Sequence, residues 1–176
     1  ADRSYIFLIN KQGSLDNTYE WCRDGVEPQI RILQDIDIHY IDRWLPYFEK
    51  NKGVFTSDIE NIRDSKPEEY QLLKEQDIHS NMEAPLYNEN KLIGFFGVDN
   101  PAPEKMENTG ELLLSLAYAI ANAYIRADNE KELQKSKQRY ELAEEAAELG
   151  VWEYHIKKHQ IISPSHTFKK YYSIPR

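Results

Sequence analysis

At 176 residues, 40% hydrophobic and 12% aromatic, the chain can pack one domain plus an appendage, which excludes wholesale disorder. A formal charge of −8 argues against nucleic acid and against an anionic membrane surface as partners, since both demand a basic face. The single cysteine makes neither an internal disulfide nor a thiolate metal site, so a reducing, cytoplasmic setting is expected.

"ADRSYIFLIN" reads as a strand with no basic segment before it, hence no signal peptide. The Gly-containing turn "NKQGSLDN" joins it to a second strand, "TYEWCR", as a hairpin. The following "GVEPQIRILQDIDIH" reads as irregular chain broken by Pro28. Ile41, Trp44, Leu45 and Phe48 fall on one helical face, which predicts a helix over 41–51 with Pro46 near its start. "GVFTSDI" is a short strand. Ser65 and Glu68 have the spacing of a capping box, with Pro67 in the first turn of the next helix. "IHSNMEAPLYNENKLIGFFGVDN" predicts two strands around the turn "NENK".

A long helix is predicted over 110–149. Leu113, Leu116, Ala117, Ile120 and Tyr124 give its first part an apolar stripe, and 126–139 is mostly charged, either solvated or paired in a weak coiled coil. "LLLSLAYAIANAYI" is too short for the roughly 20 residues of a membrane span. "VWEYHI", "KKHQ" and "IISPSHTF" then predict a further hairpin. The pattern is an α+β domain, a helical lever, and a new beginning.

"ADRSYIFLIN", "NTYEWC", "GVEPQI" and "PLYNENKLIGFFGVDN" resemble a GAF domain, of the kind found in bacterial signalling proteins with cyclic-di-GMP or histidine-kinase outputs. The resemblance covers 1–125 and lacks the family's usual first helix. "RYELAEEAAELGVWEYHI" resembles the opening of a PAS domain, so 126–139 reads as a linker and 140–176 as a PAS fragment. Too little of that fragment is present to bury its faces, and its hairpin, 151–164, is expected to be disordered or to pack against a neighbouring molecule. The GAF resemblance implies a six-stranded antiparallel sheet with helices on one face and a small-molecule pocket on the other. It also implies a sensory, non-catalytic module whose parent carries the enzyme, a diguanylate cyclase, a phosphodiesterase or a histidine kinase.

Within that frame, Tyr19, Trp21, Trp44, Phe48 and Phe55 are the aromatic candidates for a pocket wall, although aromatics also build ordinary cores. His79, Asn81 and Glu83 alternate on one face of their strand. Asn81 and Glu83 are either solvated or polar anchors for a ligand, because a buried carboxylate without a partner is costly. Cys22 has no histidine near it in sequence to act as base and reads as a packing residue, with redox sensing and chromophore attachment as alternatives. Bilin-binding members of the family place a cysteine beside a histidine in a later loop, and no Cys-His pair occurs here. The "DIDIH" segment and the His155, His159 pair are not assigned a metal. No phosphate-binding loop and no nucleophile elbow is present, and the cyclic-nucleotide residues of the family do not align. The sequence calls for no cofactor. An unidentified small molecule and a second copy, paired through 110–149, are the expected partners; a ligand-free dimerisation scaffold is the other reading.

Overall fold

The computed structural model describes residues 1–102, 109–161 and 168. Two hairpins lie at its centre. Strands β1 (Arg3–Ile9) and β2 (Leu15–Cys22) pair antiparallel around a turn built by Asn10. The Asn10 side-chain oxygen accepts the amides of Gln12 and Ser14, each at 3.0 Å, and Gly13 takes a left-handed φ of 91°. The ladder then slips: Phe7 faces Asn17, Ile6 faces Tyr19, and Thr18 is left over, its hydroxyl donating to the Ile6 carbonyl at 3.1 Å. Such a bulge reverses the side-chain alternation beyond it. Leu15, Asn17 and, past the bulge, Glu20 consequently face the same way.

The second hairpin joins β4 (Asn81–Asn88) to β5 (Lys91–Asp99) through Glu89 and Asn90, inside the expected "NENK" turn. With β3 (Val54–Thr56) the sheet order is β2-β1-β5-β4-β3, antiparallel throughout. The sheet therefore has five strands among the described residues, not the six that the resemblance implied.

The predicted helix over 41–51 shrinks to α1 (Leu45–Phe48), preceded by a 3-10 turn at Ile38–Ile41 that Asp37 caps. Pro46 sits in the first turn of α1, and Asn51 leaves the helix at φ 52°. The Ser65–Glu68 capping box does not form. Helix α2 (Pro67–Glu75) has Lys66 at its N-cap, so Ser65 stands one residue too early; its hydroxyl donates instead to the Ile62 carbonyl at 3.4 Å. Glu68 turns outward to His39, 3.1 Å away.

Helix α3 (Gly110–Ala146) packs its first turns on one face of the sheet, with Leu113, Ala117 and Ala121 against Leu8, Met82, Ala84 and Leu86. The buried stripe is rotated from the predicted one. Alanine at 117 and 121 lets the helix approach the strands closely, which turns Leu116 out to 44% exposure. On the other face, Gly97 lies beneath the Tyr5 ring, and a Cβ there would stand inside that ring. Tyr5 is tethered by its hydroxyl to Asp99 and cannot swing clear without loss. Gly97→Val is expected to cost about 1–3 kcal/mol, as overpacking does, seen as an earlier urea midpoint.

The chain divides into two compact units, 1–125 and 126–176. In the second, α3 continues with exposed pairs Arg126–Glu130 (3.1 Å) and Glu132–Lys135 (2.7 Å). The expected hairpin forms within the chain as a two-residue ladder: β6 (Tyr154–His155) pairs with β7 (Gln160–Ile161). Residues 162–167 of the predicted second strand, and 169–176 of the tail, lie outside the described residues. No described helix is long and apolar enough to cross a membrane.

Candidate functional site

The sheet face turned away from α3 carries Tyr5 and Phe7 from β1, Leu15 and Asn17 from β2, and Phe95 and Asp99 from β5. The irregular segment after residue 30 and helix α2 cover it, bringing down Leu33, Ile36, Trp44, Leu73 and Gln76. Between floor and roof is a mostly apolar cavity with about 60 Å³ open to a water-sized molecule. At roughly 30 Å³ per water, that is room for about two waters or a ligand of a few heavy atoms.

One end is aromatic. Phe95 stacks on Phe7 (centroids 5.1 Å, planes 9° apart) and meets the edges of Trp44 at 5.2 Å and Tyr5 at 6.4 Å. These geometries are the favoured offset and edge-to-face ones. The other end is ionic. Arg3 donates from Nε to Asp99 at 2.8 Å and from Nη2 to Gln76 at 3.0 Å, and its Nη1 lies 3.6 Å from Glu20. The Tyr5 hydroxyl donates to the second Asp99 oxygen at 2.9 Å. Glu20 Oε2 accepts the backbone amides of Gln29 and Ile30, each at 2.9 Å, and so ties the start of the roof to the floor. Burial pushes the Asp99 carboxyl up to about 6, against the pull of Arg3.

Beside the cavity, Glu69 receives a forked pair of bonds from Arg43 (2.7 and 3.1 Å) and the Trp44 indole N–H (2.9 Å). Arg43 also donates to Thr56 at 2.9 Å. On β4, Asn81 stands opposite Asp99 and Glu83 opposite Gly97, so both share the cavity's face of the sheet. Both are fully buried, and none of their four terminal side-chain atoms has a hydrogen-bond partner. Desolvation, reinforced by Asp99, raises the Glu83 carboxyl well above the ordinary range. A carboxyl raised by folding binds more protons in the native than in the unfolded state, so its contribution to stability falls as pH rises above the unfolded value. Glu83→Gln removes that loss. The variant should therefore gain stability over the parent as pH rises from about 4 toward neutrality, measured by urea unfolding across pH. A constant difference across that range would contradict the buried, proton-retaining state of Glu83.

The structure separates the sequence candidates. Trp44 lines the cavity, and Phe48 is buried beside it in the same aromatic cluster. Tyr19 and Trp21 are 60% and 57% exposed, because the Thr18 bulge gives the inner face to Glu20. They are not pocket walls. Phe55 is also misplaced by the sequence reading: its neighbours Val54 and Thr56 are buried, and its own ring, 45% exposed, reaches toward Gly110 of α3. Asn81 and Glu83 are buried, not solvated, and lie one strand beyond the cavity floor. Cys22 is half-buried at the end of an edge strand; desolvation, then Glu20, raises its thiol, which leaves it a poor nucleophile. Of the "DIDIH" residues, Asp37 caps the 3-10 turn and contacts His39 at 3.1 Å, and His39 reaches Glu68. Those contacts, with Asp37 first, raise the His39 imidazole above its ordinary value.

Arg3, Asn17, Glu20 and Asp99 escaped the sequence reading. For Arg3 and Asp99 a signal existed: strict alternation from Phe7 through Tyr5 to Arg3, and from Phe95 through Gly97 to Asp99, puts both charges on the aromatic face.

The domain is an antiparallel sheet with a helix on one face and a roofed cavity on the other. The GAF domain family model matches residues 1–124, and the chain belongs to that family. It is 30% identical over 152 residues to the methanogenesis regulatory histidine kinase FilI of Methanothrix harundinacea, covering 78% of this chain and 16% of that protein. The chain thus spans about a sixth of its relative's length. Among solved structures, the fold is similar to that of a domain of a putative two-component sensor histidine kinase from Sinorhizobium meliloti (TM-score 0.57, 18% identity, 76% of this chain and 85% of that one). It is also similar to a protein in a far-red-absorbing dark state with bound biliverdin (TM-score 0.59, 18% identity, 72% and 81%). At these identities the likeness concerns the fold alone.

Proposed function

We propose that this chain is a small-molecule-sensing module of a larger signalling protein, and that its ligand enters the cavity between the sheet and the segments following residue 30. The observation that supports this most is the cavity's composition: aromatic walls at one end, a buried ionic cluster at the other, and polar atoms left without partners on the same face. Few convergent polar groups in an apolar concavity is the usual makeup of a ligand site. Trp44 supplies wall with Phe48 packed behind it, and Asn81 and Glu83 are candidate anchors once the roof adjusts.

Under this reading, α3 carries the ligand's effect toward a following domain, with 126–139 as linker and 140–176 opening a PAS-like one. The output is a histidine kinase, as in the relative, or a cyclic-di-GMP enzyme; this chain itself contributes no catalysis and sits in the cytoplasm. A ligand biases such an output only through unequal affinity for two states. Pairing of two copies along α3 is the vehicle. A ligand-free dimerisation scaffold is the second reading, favoured by the exposed Leu112 and Leu116 on the outer side of α3.

Thermal unfolding against a broad panel of metabolites and cyclic nucleotides separates the two. A ligand at a hundred times its dissociation constant adds about 2.7 kcal/mol, or roughly 5–10 °C in Tm for a chain of this size. Silence across the panel favours the scaffold.

A further inference from the structure

Resting on the reading of the cavity as a ligand site, we infer that its ligand is a small organic cation, a short primary alkylammonium. Its N–H donors meet Asn17 and the Glu20–Asp99 pair, and its alkyl end lies among Phe7, Trp44 and Phe95.

Charge is the first ground. At the ionic end one guanidinium, Arg3, faces two carboxylates, Glu20 and Asp99, and all three side chains are 4% exposed or less. Glu69, the other acid in the wall, is matched by Arg43. The cluster therefore keeps a formal charge of −1 in a buried place; hydrogen bonds from the Gln29 and Ile30 amides and the Tyr5 hydroxyl support it, but no second cation faces it. A bound cation supplies the missing positive charge.

Arg3, moreover, does not await an anion. Its Nε, Nη1 and Nη2 all point at groups already in place, Asp99, Glu20 and Gln76. The group in the cavity wall that does lack a partner is an acceptor, Asn17 Oδ1, in a side chain that is buried. Its orientation is held, because Asn17 Nδ2 donates to Glu20 at 3.4 Å and a flipped amide would set two oxygens against each other. An orphan acceptor beside surplus carboxylate calls for a donor that carries charge. The opposite walls are the rings of Phe7, Trp44 and Phe95, an apolar surround that suits the ligand's alkyl end. The available space, about 60 Å³, limits the ligand to a few heavy atoms unless the roof moves.

Proton linkage follows. Asp99 is faced by Arg3, Tyr5, Glu20 and Glu83, and Glu83 in turn by Tyr5, Asp99, Arg43 and Glu69. A cation beside these groups favours the ionised form of Asp99, so binding releases a proton and strengthens as pH rises through about 6.

The test is calorimetric titration of the 176-residue chain at about pH 7.5 with propylammonium, 1-propanol and propionate, three probes of similar size and different charge. Propylammonium is expected to bind at least about tenfold more tightly than either of the others, the usual penalty for leaving buried polar groups unpaired. Its affinity should fall, by up to about tenfold, between about pH 7.5 and 5. Asn17→Leu should weaken it by a similar factor; the pH series on the parent chain keeps the test decisive even if that variant folds poorly. Equal or tighter binding of propanol or propionate overturns the cation assignment and leaves the ligand cavity standing. Absence of propylammonium binding also overturns it, and the broad thermal panel then decides whether the cavity reading fails as well.

Discussion

Replacing Arg3 by methionine is expected to destabilise the chain by about 3–5 kcal/mol at neutral pH, measured by urea unfolding. Methionine preserves much of the volume of the arginine stem but leaves Asp99 and Glu20 facing each other in a buried site. Breaking a buried ion pair from one side is costly because the remaining charge has no solvent to turn to. The loss should shrink as pH falls toward about 6, because Asp99 without the pull of Arg3 takes up its proton above that value, and should level off below it. Adding Asp99→Asn to Arg3→Met should recover part of it, since the second change removes one of the two stranded charges. A loss under about 1 kcal/mol would instead be the signature of an exposed pair, inconsistent with the burial of Arg3.

Phe95→Ala should cost a similar amount, about 3–5 kcal/mol, for a different reason. Phe95 touches Tyr5, Phe7, Trp44 and Phe48, so the aromatic end of the cavity is organised around one ring. Its removal leaves a void between residues fixed on strands, which cannot close in. The two variants also separate by pH: the penalty of Phe95→Ala involves no titrating group and should stay nearly constant where that of Arg3→Met changes.

The order of elements was legible in the sequence because it rests on local signals. "NKQGSLDN" and "NENK" carry turn residues, and alternating apolar residues flank both. The site was legible only in part. Trp44 reaches the cavity and Phe48 packs beside it because their helical spacing survives in α1 and the turn before it. Tyr19 and Trp21 did not, because a single extra residue, Thr18, reverses the faces of β2, and no residue type in "DNTYEW" announces a bulge. Ser65 and Glu68 looked like a capping box, yet Pro67 opens the helix one residue too late for Ser65 to serve. Of the predicted stripe of α3, Leu113 and Ala117 are buried and Ile120 packs partly, but the small Ala121 takes the inner position while Leu116 and Tyr124 turn outward. Arg3 and Asp99 lie 96 positions apart, and only the central pairing of β1 with β5 brings them together. Such a pairing is non-local information.

Burial of Glu83 has the same origin. Its strand reads as alternating polar and apolar, the pattern of a half-solvated edge, but β4 is flanked by β5 and β3 and covered on both faces. Sequence alternation marks two faces; it does not say that both are dry.

Occupancy of the cavity is expected to be felt along α3. Hydrogen exchange on the chain, free and saturated with whichever panel compound most raises Tm, tests that most directly. The expected result is slower exchange in the roof, residues 30–44, together with altered exchange in α3 between Gly110 and Ala146. Protection confined to the roof, with α3 unchanged, would contradict the claim and leave a binding domain without a lever.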